Sequence, residues 1–365
     1  MDNYCIVSFC NIYLTPYAKL YIENLQANGN AVTLLYWDRD AVNGDNDIFP
    51  NCKKVSYQKR INGSSGQIDK LFGYIGATDF FRKHLETNQY SGLIMLQTHV
   101  AVACESILRK KYSSRYIVDI RDYSLEKLRG YYYLEKRVID KSFATVISSP
   151  AYSKFLPKHD YYLCHNYSPY NIDLIKEVRE ESRTNCDPIK ICFIGSVRFY
   201  ETDKQLITLF ANDERFKICY YGLGSEVLQD FCNENKITNV DFYGSFQPEM
   251  TPQFYKKTNI INNVYGNHNP YLDYALSNKL YYAAQFQIPI LVCKDTYMQD
   301  VVSKYNLGFV LDLKSEDATN ELYRWFNQLN RLALADGAEE FLNDVNNDMN
   351  SFYELLHQFV NDGDD

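Results

Sequence analysis

The sequence has no C-x-x-C pair among its ten cysteines and no glycine-rich dinucleotide or P-loop signature. It also has no apolar run near the roughly 18 residues that span a bilayer. Each absence removes a class. Scattered thiols, several inside apparent strands, predict reduced and buried cysteines rather than a disulfide frame or a zinc site. With only 10 prolines and 16 glycines in 365 residues, 46% hydrophobic and 23% charged, the chain is neither disordered nor collagenous. Met1-Asp2-Asn3-Tyr4 puts no basic stretch ahead of its apolar run, so the reading is of a cytoplasmic protein without a leader. The first predicted strand ends Phe9-Cys10-Asn11-Ile12-Tyr13-Leu14-Thr15, without the G-x-G-x-x-G of a dinucleotide fold, which argues against an NAD enzyme.

What the chain does have is length, tyrosine and alternation. A chain of 365 residues exceeds one ordinary core and predicts two domains. The 33 tyrosines imply many phenols half-buried or lining a wet groove, each needing a partner for its hydroxyl. The net charge of −8 is unevenly split: residues 1–165 hold 21 basic and 16 acidic side chains, leaving 17 basic and 30 acidic, so +5 against −13. Short apolar runs predict strands at Tyr4–Phe9, Ala31–Tyr36, Gly92–Gln97, Tyr116–Ile120, Ala144–Ser148 and Tyr161–Cys164. Apolar spacing of three and four predicts helices between them, at Thr15–Ala27, Ile68–Leu85, Val100–Lys111 and Ser124–Asp140. After a polar, charged segment the alternation restarts, with strands at Ile189–Ile194, Phe216–Tyr221, Val240–Tyr243, Thr258–Asn262, Ile288–Val292 and Gly308–Leu311. The reading is α/β: a domain at 1–168, a linker at 169–187, a second domain at 188–336 and an acidic terminal helix at 337–365 that crosses back to the first.

In such sheets ligands sit at the carboxyl ends of strands, where helix N-termini present unpaired N–H groups. The second half is rich in such ends. Gly195-Ser196-Val197-Arg198, with Lys204 further on, puts a small residue and then cations at the mouth of a helix, the parts for holding a diphosphate. Tyr221-Gly222-Leu223-Gly224-Ser225 and Tyr243-Gly244-Ser245-Phe246 are glycine-containing turns after strands; alone, each is most simply a turn. Ser277-Asn278-Lys279 begins a helix whose positive end would meet anionic oxygens, with Lys279 adding a full charge.

The order G-S-x-R, G-x-G-S, F-x-G-S-F, S-N-K-L-x-x-Y-x-A and x-P-I-L-V resembles the donor domain of GT-B glycosyltransferases, in particular family 4. The first half is more loosely similar, through Val118-Asp119-Ile120-Arg121-Asp122, Phe143 to Ser149 and Cys164-His165-Asn166. The resemblance implies two Rossmann-like domains with parallel sheets facing across a cleft, and transfer of a sugar from a nucleotide-diphosphate donor, a UDP-sugar by preference, to a glycan hydroxyl. It implies retention of configuration without metal or cofactor, in surface polysaccharide or glycoprotein glycan synthesis. Arg198 and Lys279, with Lys204 as a third cation, would neutralise the leaving diphosphate. Gly195, Ser196, Tyr221, Gly222, Gly224, Ser245 and Phe246 would shape the nucleotide pocket, and Ser277 and Asn278 would contact ribose or phosphate. The family's acidic residue on that helix is replaced here by Tyr282.

In the first domain, His99 ends the apolar run Leu93 to Thr98 and is a candidate contact to the transferred sugar; a locally bonded histidine at a helix start is the plainer reading. Asn11, Thr15, Tyr17 and Asp122 are candidate acceptor contacts, with an ion pair inside the domain as the alternative for Arg121 and Asp122. Asp38-Arg39-Asp40 has the D-x-D form that holds a metal in the other large glycosyltransferase fold, but turns are rich in aspartate. Arg109-Lys110-Lys111 with Arg115 offers a peripheral membrane contact, against the stronger reading of a helix end favoured by its dipole. The expected partners are the donor and a glycan acceptor, lipid-linked at the inner face of a membrane or carried on protein, and no nucleic acid. A catalytically silent subunit and a nucleotide-sugar epimerase are the alternatives.

Overall fold

A computed structural model describes residues 2–41, 48–61, 65–183 and 186–361. The acidic end Asp362–Asp365 and linker residues 184–185 lie outside the described residues. The chain forms two compact units, one of Met1–His165 with Asn347–Asp365, the other of Asn166–Asn346.

The first unit holds strands β1 (Asn3–Ser8), β2 (Ala31–Asp38), β3 (Lys53–Gln58), β4 (Gly92–Leu96), β5 (Tyr116–Ile120), β6 (Ala144–Ile147) and β7 (Tyr162–Leu163). Its helices are α1 (Ala18–Ala27), α2 (Gln67–Thr87), α3 (Thr98–Ala103), α4 (Glu105–Lys111) and α5 (Arg129–Ile139). The sheet is parallel, in the order β3-β2-β1-β4-β5-β6-β7. β1, β4 and β5 are buried almost throughout, as strands covered on both faces must be. β3, Lys-Lys-Val-Ser-Tyr-Gln, is absent from the sequence reading: an edge strand with one half in solvent carries no apolar run to betray it. The predicted helix 100–111 is broken at Cys104 into α3 and α4.

The second unit holds β8 (Ile189–Ile194), β9 (Phe216–Tyr221), β10 (Val240–Phe242), β11 (Ile260–Asn263), β12 (Ile290–Cys293) and β13 (Gly308–Leu311), parallel in the order β10-β9-β8-β11-β12-β13. The helices are α6 (Ile172–Ser182), α7 (Tyr200–Leu209), α8 (Glu226–Glu234), α9 (Thr251–Tyr255), α10 (Pro270–Asp273), α11 (Asn278–Phe286), α12 (Tyr297–Lys304), α13 (Ala318–Asn327) and α14 (Arg331–Asn361). Segment 169–187, read as a linker, carries α6 and belongs to this unit. From Asn347, α14 belongs to the first unit, where Phe352 packs edge-on against Tyr21 and Phe359 against Tyr4 and Phe143. The second core is built from Ile191, Phe193, Ile218, Tyr220, Ile260 and Leu291 with helix residues such as Leu206 and Leu228.

Buried phenols find the partners that polarity demands. Tyr21 donates to Asp119 at 2.7 Å, Tyr220 to Asp203 at 2.9 Å, and Tyr116 to the Val138 carbonyl. All ten cysteines are free thiols and eight are buried. Each sheet reverses its strand order beside its first strand, β1/β4 in one and β8/β11 in the other, which opens a crevice at the carboxyl ends.

Candidate functional site

The crevice of the second unit is a cavity of about 460 Å³ at the β8/β11 switch point. Gly195, Ser196, Arg198 and Phe199 line it after β8, Asn263, Tyr265 and Gly266 at and after β11, and Ser277, Asn278, Lys279 and Tyr282 along α11. Phe246, Thr251 and Tyr255 close another side. Ser277 caps α11, its hydroxyl accepting from the Lys279 N–H at 3.3 Å, so the positive end of a nine-residue helix opens on the cavity. Beside it Lys279 is buried, its ammonium 4.1 Å from the Phe193 ring centre and donating to the Tyr265 hydroxyl. That arrangement holds a desolvated cation at the floor with no carboxylate paired to it among the described residues. At the rim the Arg198 guanidinium is exposed and likewise has no ion-pair partner among the described residues. Two cations and a helix N-terminus converging on one crevice are the chemistry of an anion site.

Of the sequence candidates, Gly195, Ser196, Arg198, Phe246, Ser277, Asn278 and Lys279 meet in this cavity. Lys204 does not: on α7 it pairs with Glu201 at 3.0 Å and lies over the Phe231 ring. Tyr221 is a packing residue here, stacked 4.3 Å from both Tyr243 and Phe254. Gly222 and Gly224 sit behind the wall, where the Gly222 N–H bonds the Gly244 carbonyl at 2.7 Å, and Ser245 is exposed outside the lining. Tyr282 lines the cavity with its ring against Tyr255 and Tyr170, so an aromatic surface stands where the resemblance leads one to expect a carboxylate. Sequence reasoning missed Tyr265 and Asn263. Asn263 is buried at the end of β11 with its side-chain oxygen unpaired; two consecutive asparagines, Asn262 and Asn263, closing a buried strand are the signal that was available.

The carboxyl ends of the first unit carry the remaining candidates. Asn11 donates to Asp38 at 3.0 Å and accepts from the Arg39 N–H, while Thr15 is buried on the Ile12 carbonyl. Both therefore shape the loop after β1. Arg121 pairs with Asp119, at 2.6 Å, and with the Cys164 carbonyl, while Asp122 is exposed; the ion pair of this motif is two residues apart and wholly buried. Tyr17 lies under that guanidinium, its ring centre 4.5 Å away. Asp38 also accepts from the Ala41 N–H, and Asp40 from the Tyr13 hydroxyl at 2.7 Å, so the D-x-D carboxylates are turn residues. Among the described residues no three His, Cys, Asp or Glu side chains are grouped as metal ligands. Of the 109–115 cluster, Lys111 donates to the carbonyls of residues 85, 86 and 88 at the end of α2, Arg115 to the Lys111 carbonyl at the end of α4, and Arg109 pairs with Glu105.

His99 is stacked on Phe9 with ring centres 5.5 Å apart, and its ring nitrogens bond no described residue. Burial, with Arg39 adding to it, lowers its pKa from 6.5 to about 4. The unfolded imidazole still takes its proton near 6.5, so between about 6.5 and 4 the unfolded state binds more protons and stability falls as pH falls, by on the order of 1–3 kcal/mol. His99→Phe keeps the stacking and should flatten that slope; urea midpoints at about pH 7.5 and about pH 5, compared with the parent chain, check it.

No family model and no curated protein matches the chain. Solved structures do. Sucrose-phosphate synthase from Thermosynechococcus elongatus aligns with a TM-score of 0.73 at 12% identity, over 98% of this chain and 99% of that one. The fold is GT-B. A GT-B architecture also relates the chain to Anabaena HepE in complex with UDP and glucose (TM-score 0.65, 11% identity, 98% and 100% covered). The lipopolysaccharide outer core galactosyltransferase WaaB is similar too (0.67, 12%, 99% of each chain). Within the GT-B scaffold the cavity described above belongs to the carboxy-terminal Rossmann-like unit.

Proposed function

We propose that the chain is a glycosyltransferase that moves a sugar from a nucleotide-diphosphate donor, a UDP-sugar, to a hydroxyl of a glycan. The observation that carries the reading is the cavity where Arg198, Lys279 and the N-terminus of α11 converge, with no carboxylate at ion-pair distance from either cation among the described residues and the buried Asp203, bonded to Tyr220, as the one acidic group felt by Lys279. In the reaction the bond from the anomeric carbon to the diphosphate oxygen breaks, so positive charge grows on the sugar ring and negative charge on the leaving group. Fixed cations at the departing oxygens stabilise that state more than the ground state, which is what lowers a barrier. In the retaining course the acceptor oxygen bonds to the anomeric carbon and its proton leaves on the departing phosphate, so no separate base is needed. Asn263 and Tyr265 add polar atoms for orienting the donor. HepE has been solved with UDP-glucose, which supports a uridine nucleotide for this scaffold. A family 4 relationship and a glycan of the cell surface or of a glycoprotein are part of the same reading. Metal is not required by it, since protein cations supply the charge.

One observation favours a second reading, a catalytically silent GT-B subunit: Tyr282 presents a ring where a carboxylate would hold the ribose hydroxyls. Thermal shift separates the two. UDP at about a hundred times its dissociation constant stabilises the native state by about 2.7 kcal/mol. A unit of this size then melts roughly 5–10 °C higher. The rise should persist with EDTA present, and UDP-sugar should release UDP slowly in the absence of acceptor. Binding without any release would favour the silent subunit, and no shift with UDP, GDP, ADP or CMP would overturn the donor site.

A further inference from the structure

Asp203, on α7, is a buried acid that the proposed chemistry leaves without a task. It is 2% exposed and pairs with no cation at salt-bridge distance among the described residues; the Tyr220 hydroxyl donates to it at 2.9 Å. One ring links this pair to the cavity floor. Phe193 lies 5.6 Å from the Tyr220 ring, centre to centre, and the Lys279 ammonium stands 4.1 Å from the centre of that same Phe193 ring. Tyr265, whose hydroxyl accepts from the ammonium, meets Phe193 edge-on at 6.0 Å. A buried carboxylate held by a single phenol is costly to ionise, and Lys279 is the cation that offsets the cost. Burial raises the Asp203 pKa from 3.8 to about 6, while the Tyr220 hydrogen bond and the Lys279 charge pull it down.

Lys279 therefore faces two claims on its charge, Asp203 on one side and an anion in the cavity on the other. A diphosphate at the N-terminus of α11 brings negative charge toward Asp203 and draws on the field of Lys279, so it disfavours the carboxylate and favours the acid. Coupling of this kind is reciprocal. A group that gains a proton when a ligand binds makes that ligand bind more tightly as pH falls. The other ionisable groups around α7 are placed differently. Cys232 of α8, which faces Tyr220, and Cys293 in the cavity wall are thiols that burial pushes up to about 11. Glu201 and Lys204 pair with each other on α7, and Glu226 and Asp230 of α8 are exposed. The only histidine between residues 166 and 346 is His268, exposed in the loop after β11; Asp273, on α10, is part-buried beside the lining residue Leu272.

We propose that Asp203 is a positioning residue of the donor site that acts through Lys279: it takes up one proton from solvent when a diphosphate occupies the cavity, and so makes donor binding tighten toward low pH. The inference rests on the donor reading of the cavity. The test is calorimetric titration of the full chain with UDP-glucose between about pH 5 and about pH 8, a range in which the diphosphate diester keeps a constant charge. The dissociation constant should fall roughly five- to tenfold from the upper to the lower pH, tenfold being the effect of one pKa unit of coupling. Near pH 6 the heat of binding should vary with the ionisation enthalpy of the buffer, in the sense of proton uptake. Asp203→Asn keeps an acceptor for the Tyr220 hydroxyl; it should bind roughly five- to tenfold more tightly than the parent at about pH 8 and show no pH dependence. A purely structural role would weaken binding at every pH. Tyr220→Phe removes a bond that favours the carboxylate, so the midpoint of the pH dependence should move upward with both limits kept. His268→Gln and Asp273→Asn should keep the parent profile. A pH-independent parent, an undiminished slope in Asp203→Asn, an unmoved midpoint in Tyr220→Phe, or a slope lost in either control would each overturn the proposal while leaving the donor site standing. Failure of the parent to bind UDP-glucose at any pH would overturn the donor reading and this one with it.

Discussion

Arg198→Ala should lower turnover by about a hundredfold or more while leaving the melting temperature within a degree or two. The guanidinium is exposed at the cavity rim with no ion-pair partner among the described residues, so removing it empties no core and strands no buried charge. Its role under the proposed reaction is electrostatic. A placed cation at a developing phosphate charge is worth roughly 3–4 kcal/mol in the transition state, which sets the hundredfold scale. Loss of kcat with an almost unchanged KM is the expected signature, because the charge it meets grows only as the bond breaks. Steady-state UDP release measures both. A KM rise with kcat intact would make Arg198 a binding residue alone, and unchanged kinetics would remove it from the reaction.

The second large effect concerns stability. Gly222→Ala should destabilise the second unit by at least about 3 kcal/mol and abolish donor binding with it. Gly222 holds φ at +140°, and a Cβ there would stand 1.8 Å from the Gly195 carbonyl oxygen, far inside contact distance. The obstacle is backbone, not a flexible side chain, so the loops after β8 and β9 must separate. Gly195 N–H bonds the Tyr221 carbonyl at 2.9 Å across the same junction, and Ser196 and Arg198 hang from that loop. A urea titration of the variant shows the loss directly, and an unaltered midpoint would mean that the two loops do not pack this way.

These two positions show how differently the sequence speaks. Arg198 was legible because a cation one turn after a strand-ending Gly-Ser is a local pattern. Gly222 was read as a pocket residue from the same kind of pattern, yet its task is to let one backbone pass another, and that depends on a loop 27 positions earlier. Lys204 lies outside the cavity lining for a related reason. Its spacing from Arg198 fits a diphosphate clamp, but α7 turns it toward Glu201 and Phe231, and helix phase relative to a cavity is not written in spacing alone. The buried Asp119–Arg121 pair likewise makes Arg121 a fixture of the first core through Asp119 and not Asp122, which stays exposed; breaking the pair would strand an uncompensated charge.

The sequence by itself determined the doubly α/β organisation and most strand limits, with Tyr116–Ile120, Ile189–Ile194, Phe216–Tyr221 and Gly308–Leu311 at the observed bounds. Strands buried on both faces must be continuous apolar runs, and the helices covering them must repeat at three and four. It also determined the capped start of α11, since Ser277-Asn278-Lys279 is a local arrangement. Tertiary structure alone decided that β3 completes an edge and that Tyr265 and Phe193 hold Lys279. Each of these is a relation between segments distant in the chain, and burial and contact at such range follow from packing, which no local run of residues encodes.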